Sequence, residues 1–249
     1  MRKLVFIAVV CTFMAVPTFA DPTHGVLEYG ALAQMTRLGD YFGGSGGEFT
    51  LFDSLHVNWQ LDATKGYAAP TRGQYAGHPE SFQTFCLELD EYSYYGENFD
   101  VWVSHSNADL TMPGSHAWGG GVNTNTGDDL DARTAFLYYR FAIGALPGYN
   151  YTPGAAARAT SAVALQNAIW YIEEELTSLP TGLATTFYNM ANNAVNSGAW
   201  SGLGDVRVLQ NANIKDFRQD FLYVVPVPGA VLLGLLGLGA AGLKLRRFA

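Results

Sequence analysis

The sequence predicts an α+β domain: a β-sandwich-like body with an inserted helical subdomain of about three helices. Three observations carry this. Apolar residues alternate at period two in short runs before residue 104 and again after residue 205. Between about 128 and 198 the apolar spacing becomes that of helices. The order of strands, helices and strands, without an internal repeat, suits an α+β domain better than alternating βαβ units.

The chain has 249 residues. Arg2 and Lys3 precede an apolar run from Leu4 to Val16, and Pro17-Thr18-Phe19-Ala20 follows with small residues at its second and last positions. This predicts a secretory signal peptide over 1–20, cut between Ala20 and Asp21. Cys11 does not read as a lipoprotein site, because bulky Val9 and Val10 precede it within the apolar run. The cut leaves an exported domain over about 21–225, long enough for a sizeable core.

That domain opens with Val26-Leu27-Glu28-Tyr29, and Gly43-Gly44-Ser45-Gly46-Gly47 reads as a loop. It is no phosphate cradle, since neither Lys-Ser nor Lys-Thr follows and no helix opens after it. Glu48–Phe52 and Leu55–Trp59 alternate as strands, and Ala63–Pro79 is a Gly- and Pro-punctuated loop. Ser81–Leu89 alternates again, which puts Phe85, Leu87 and Leu89 on a core face and Cys86 on the other. Phe99–Val103 is a further strand, and Asn107–Asp128 a long loop.

The helical insertion, about 128–198, starts with Asp128 or Asp129 as cap of a helix running to Ile143. Leu130, Thr134, Leu137 and Phe141 share its face. A second helix covers Ala155–Leu176, with an apolar stripe of Leu165, Ile169, Ile172 and Leu176. Gln166 and Trp170 lie one turn apart on the adjacent face. Leu183, Phe187, Met190 and Ala194 mark a third helix that closes at Ser197-Gly198. Val206–Leu209 and Phe217–Val225 return to strand character.

The far end reads Val225-Pro226-Val227-Pro228-Gly229, then an uncharged apolar run from Ala230 to Leu243, then Lys244-Leu245-Arg246-Arg247-Phe248-Ala249. The run is shorter than the ~20 residues of a comfortable membrane span, yet could just cross a locally thinned bilayer. Lys244, Arg246 and Arg247 would then stay cytoplasmic, with the domain outside. This order over 226–249 resembles the PEP-CTERM sorting signals of Gram-negative, polysaccharide-producing bacteria. Val227 stands where that family usually has Glu. The resemblance implies a transient inner-membrane anchor, processing at Pro226-Val227-Pro228-Gly229 by an exosortase, a membrane cysteine protease-transpeptidase, and release to the cell surface or extracellular matrix.

The chain holds 22 acids and 14 cations. Both address segments lack acids and carry Arg2, Lys3, Lys244, Arg246 and Arg247, which leaves 22 acids against nine cations between them, a net of about −13. Such an acidic domain excludes nucleic acid as a partner, because phosphate backbones need a basic footprint.

The chemistry rests on Cys86, the single cysteine left after signal cleavage. An exported lone cysteine is free, cross-linked to another chain, or used in other chemistry. Phe82, Phe85, Leu87, Ile169 and Trp170 would surround it with a dry site, and Gln166 offers a carboxamide within an apolar helix. Phe85-Cys86-Leu87-Glu88 with Leu165-Gln166-Asn167-Ala168-Ile169-Trp170 resembles the thioester-forming domains of bacterial surface adhesins, over roughly residues 48–200. That family pairs an aromatic- or Leu-preceded cysteine with a later Gln-x-Ala-Ile-Trp motif, often led by Thr; Leu165 stands in that place here. The resemblance implies a Cys86–Gln166 thioester shielded by Phe85, Ile169 and Trp170. It also implies single-turnover covalent attachment to an amine or hydroxyl on a surface protein or polysaccharide, without turnover as an enzyme and without cofactor or metal.

Other readings have less support in the residues. A cysteine hydrolase would pair Cys86 with His105 or His116, but no oxyanion motif is legible. His56, His78, His105 and His116 fit no metal-ligand spacing. Asp128-Asp129-Leu130-Asp131 lacks the spaced ligands and closing Glu of a calcium loop. The main alternative is a non-reactive structural or glycan-binding protein of the exopolysaccharide matrix, its aromatic residues stacking on sugars.

Overall fold

A computed structural model describes residues 32–39, 41–44, 46–53, 66–89, 93–104, 123–124, 127–128, 130–211 and 219–225. Both address segments and His56, His105 and His116 lie outside these residues, as do the sequence-predicted strand Leu55–Trp59 and the opening Val26–Tyr29. Among the described residues no helix is long and apolar enough to cross a membrane.

The fold is α+β. Among the described residues ten strands and three helices follow in chain order: β1 (Leu32–Thr36), β2 (Phe42–Gly43), β3 (Gly46–Gly47), β4 (Phe49–Asp53), β5 (Phe82–Thr84), β6 (Asn98–Ser104), β7 (Asn123–Thr124), β8 (Gly127–Asp128), α1 (Ala132–Ala142), α2 (Ala156–Ile172), α3 (Leu183–Asn196), β9 (Val206–Asn211) and β10 (Phe221–Val224). The body is one six-stranded antiparallel sheet in the order β10-β9-β6-β1-β4-β5. Its two edges meet. Cys86 bridges Phe221, the Leu87 amide donates to Asp220 O at 3.1 Å, and the Leu222 amide donates to Phe85 O at 3.1 Å. The expected sandwich-like body therefore takes the form of a single sheet closed on itself beside β5, which removes an exposed strand edge.

Closure explains why Ser81–Leu89 departs from simple alternation. Phe85, Cys86 and Leu87 are all buried, since one face of the segment meets the core and the other meets a second layer. Regular pairing with β4 stops at Thr84, and the chain then turns to β10.

The helices follow the periodicity closely, with shifted ends. Asp131, rather than Asp128 or Asp129, caps α1, its carboxylate accepting from the Arg133 amide at 2.7 Å. Buried Thr134, Leu137 and Phe141 face inward as expected. The second helix stops at Ile172 instead of Leu176, because Glu174 takes a positive φ of 63° and the Leu176 amide turns back to Trp170 O at 3.2 Å. It is buried on nearly every side, against α1 and α3 and against β2 and β3. That is the pattern of a central helix rather than an amphipathic surface one.

Candidate functional site

The site forms where α2 meets the closure of the sheet and the β2–β3 hairpin. The hairpin is pinned to the start of α2 at its base. Arg158, fully buried, donates from Nε and Nη2 to the two carboxylate oxygens of Glu48, at 2.7 Å each. Tyr149 adds a hydrogen bond to the same carboxylate, and the Arg158 guanidinium lies 4.3 Å over the Tyr41 ring. The Gly154 amide donates to the Tyr41 hydroxyl at 2.6 Å.

Beyond that base the hairpin lies flat on α2, and its glycines make this possible. A Cβ on Gly43 would stand 2.8 Å from Val163 Cγ2. One on Gly46 would stand 2.6 Å from both Gln166 Cγ and Trp170 Cη2. The glycine run is thus a hairpin in close backbone contact with the helix, not the plain loop expected from sequence. Its legible signal was the density of glycine beside an aromatic strand, which is also what a close backbone approach requires.

Under this hairpin Cys86 and Gln166 meet. The Cys86 thiol donates to Gln166 Oε1 at 3.3 Å, and Gln166 Nε2 donates to Cys86 O at 2.8 Å. The Gly47 amide reaches the same Oε1 at 3.5 Å. Cys86 is 2% exposed and Gln166 is fully buried. The two residues are 80 positions apart, so the sheet closure and α2 create the contact. Burial pushes the Cys86 thiol well above its ordinary pKa, and nearby Glu88 adds to that, while Arg37 opposes it. At neutral pH the thiol is protonated.

Among the sequence-predicted shielding residues, Trp170 stands beside the pair at 5% exposure, its six-membered ring under Gly46. Its indole Nε1 is buried and has no hydrogen-bond partner among the described residues. Phe85 and Ile169 are also buried, with Phe85 edge-on to Phe141 at 4.9 Å between the centroids.

A pocket of about 270 Å³ leads to Cys86 from the surface, lined by Arg37, Phe42, Glu88, Tyr95, Trp170 and Gln219 among others. Of these, the sequence pointed only to Trp170 and, within the Phe85-Cys86-Leu87-Glu88 motif, to Glu88. Arg37 packs its guanidinium against Phe42 and Phe49 at 4.4 and 4.2 Å from the ring centroids. Glu88 accepts from Gln219 Nε2 at 2.7 Å and from the Asp220 amide at 3.1 Å, which ties the residue after Leu87 to the start of β10.

Other candidate residues resolve differently. His78 Nδ1 lies 2.8 Å from Glu80, and its ring packs against Phe52 and Tyr75. Among the described residues no group of three metal-ligating side chains assembles. No family model, curated protein or solved structure matches this chain.

Proposed function

We propose that the folded domain forms an internal thioester between Cys86 and Gln166 and spends it once, on an amine or hydroxyl of a surface target. The observation that carries this reading is the buried contact of Cys86 with Gln166, in which the thiol donates to Oε1 at 3.3 Å and Nε2 donates to the Cys86 backbone carbonyl at 2.8 Å. Fixed proximity of this kind replaces a strong base, because it converts a bimolecular attack into an intramolecular one. The thiol sulfur adds to the Gln166 carboxamide carbon, the thiol proton passes to Nε2, the C–N bond breaks, and ammonia leaves. Burial then protects the acyl–sulfur bond from water, and the pocket beside Trp170 gives a target nucleophile its way in. Attack there would transfer the acyl group to the target and return the Cys86 thiol.

In the same reading residues 1–20 direct export, and the segment from Pro226 is an exosortase-processed sorting signal. The protein then works at the cell surface or in the extracellular matrix. A second reading, non-covalent glycan binding, draws on Phe42 and Tyr95, which are exposed and line the same pocket.

Intact mass separates the two. The thioester lowers the mass of the purified domain by one ammonia, and Cys86→Ala abolishes the deficit. A full-mass protein with one titratable thiol refutes the thioester and leaves the glycan reading. The same spectrum on protein from its host reads the ends: loss of 1–20 and of the tail is expected, and an intact Phe248-Ala249 end contradicts sorting.

A further inference from the structure

We infer that the backbone amide of Gly47 is the oxyanion donor of this site, presented by a glycine hairpin shaped to bring it onto the Gln166 carbonyl. The inference rests on the thioester reading and says how the acyl chemistry is promoted.

The direction of that amide follows from the hairpin register. Phe42 pairs with Gly47, and Gly43 with Gly46. The Glu48 amide donates to Tyr41 O at 2.9 Å, so Tyr41 and Glu48 form a hydrogen-bonded pair. The neighbouring pair, Phe42 and Gly47, is then a non-hydrogen-bonded one, and the Gly47 N–H points out of the hairpin. It points at Gln166 Oε1, 3.5 Å away. A contact this long in a resting site is what a donor aimed at the tetrahedral species shows before reaction.

The local sequence serves this placement. Gly47 holds a φ of +123°, and a Cβ there would lie 2.5 Å from Tyr41 O. Gly46 leaves no room for a side chain between the hairpin and Gln166. Glu48, the next residue, is fixed by Arg158, so the amide is held from both directions. As sulfur adds to the carboxamide carbon, the carbonyl π pair moves onto Oε1 and the Gly47 N–H stabilises it. The pair returns when the C–N bond breaks and ammonia takes the thiol proton. Attack by an external amine on the thioester passes through the same oxygen, with the Cys86 sulfur as leaving group. A thiol kept protonated by burial gains little from the nucleophile side, which places the demand on the acyl oxygen.

The test removes one hydrogen-bond donor. Replacing Gly47 by glycolic acid converts its amide to an ester, with the side chain, and hence the φ preference, unchanged. The rate at which methylamine releases the Cys86 thiol is expected to fall about 100-fold or more, at a similar melting temperature. A folded ester variant that keeps its full mass, having failed to form the thioester at all, supports the same conclusion. Aminolysis within about twofold of the parent overturns it. A measurement on the unaltered protein stands should the variant not fold: with ¹³C at the side-chain Cδ of residue 166, the thioester band is expected below that of a simple alkyl thioester carrying the same label in dry apolar solvent, and a coincident band overturns the inference. A parent domain without the ammonia deficit refutes the thioester reading itself, an outcome distinct from a parent that has the deficit and an ester variant that reacts normally.

Discussion

Truncating Trp170 tests whether this side chain guards the site or only fills the core. Removal of a large buried aromatic side chain costs about 3–5 kcal/mol. Here a term of opposite sign applies, because the buried indole Nε1 has no partner among the described residues and removing an unsatisfied donor recovers about 1–3 kcal/mol. The expected net loss for Trp170→Ala is about 2 kcal/mol, a fall in Tm of about 4–8 °C for a domain of this size. The mutant therefore folds, while the space under Gly46 opens towards the pocket and Gln166. Thioester hydrolysis should accelerate about tenfold or more, equivalent to at least ~1.4 kcal/mol of lost protection, read as return of a titratable Cys86 thiol with Glu at 166. A folded mutant with an unchanged thioester lifetime refutes the guarding role. A Tm loss well beyond this range refutes the offset assigned to the orphaned indole.

Two further predictions concern the frame of the site. Arg158→Met leaves Glu48 buried without its bidentate partner and should cost about 3–5 kcal/mol in denaturant unfolding, with much of the loss recovered in the double variant Glu48→Leu, Arg158→Met; a cost below about 1 kcal/mol would show that the pair does not hold the hairpin. In Gln166→Ala, where Cys86 stays a thiol, burial raises its folded pKa above the unfolded one, so the unfolded chain loses its proton first. Stability is then full below the ordinary thiol pKa of ~8.5 and declines as pH rises from there towards the higher folded value, by up to about 1.4 kcal/mol per pH unit. Adding Cys86→Ala should remove this decline between about pH 8.5 and 10, and its persistence would assign it to another group.

How much was legible depends on how local each signal was. The three helices show in the sequence because an apolar stripe is a short-range pattern, and Leu137, Phe141, Leu165, Ile169 and Phe187 are buried as that pattern requires. Cys86 and Gln166 could be paired only through their flanking motifs, since no periodicity encodes a contact across 80 residues. β1 went unread because Leu32-Ala33-Gln34-Met35-Thr36 alternates weakly, and its place between β4 and β6 is fixed by long-range pairing. The end of α2 turned on one residue, Glu174, in a left-handed conformation that its side chain does not advertise. Gly43, Gly46 and Gly47 were visible as a run, but their function lies in what they touch, and that is set by Arg158 holding Glu48 from the far end of the hairpin.

The sheet closure beside Cys86 also bears on how the fold would carry tension. A captured target would hang from residue 166, in the middle of α2, while the chain continues towards residue 226 out of β10. Force between those points runs through residues 166–225 alone, so α1 and strands β1–β8 lie outside the stretched segment. Within it, β10 is held on both flanks, by β9 across Phe221–Val224 and by Phe85–Leu87 through the bridge at Phe221. Extension would have to break both ladders together before the strand could slide. The contact that seals the thiol from water would thus also act as a mechanical clamp at the point where the load leaves the domain.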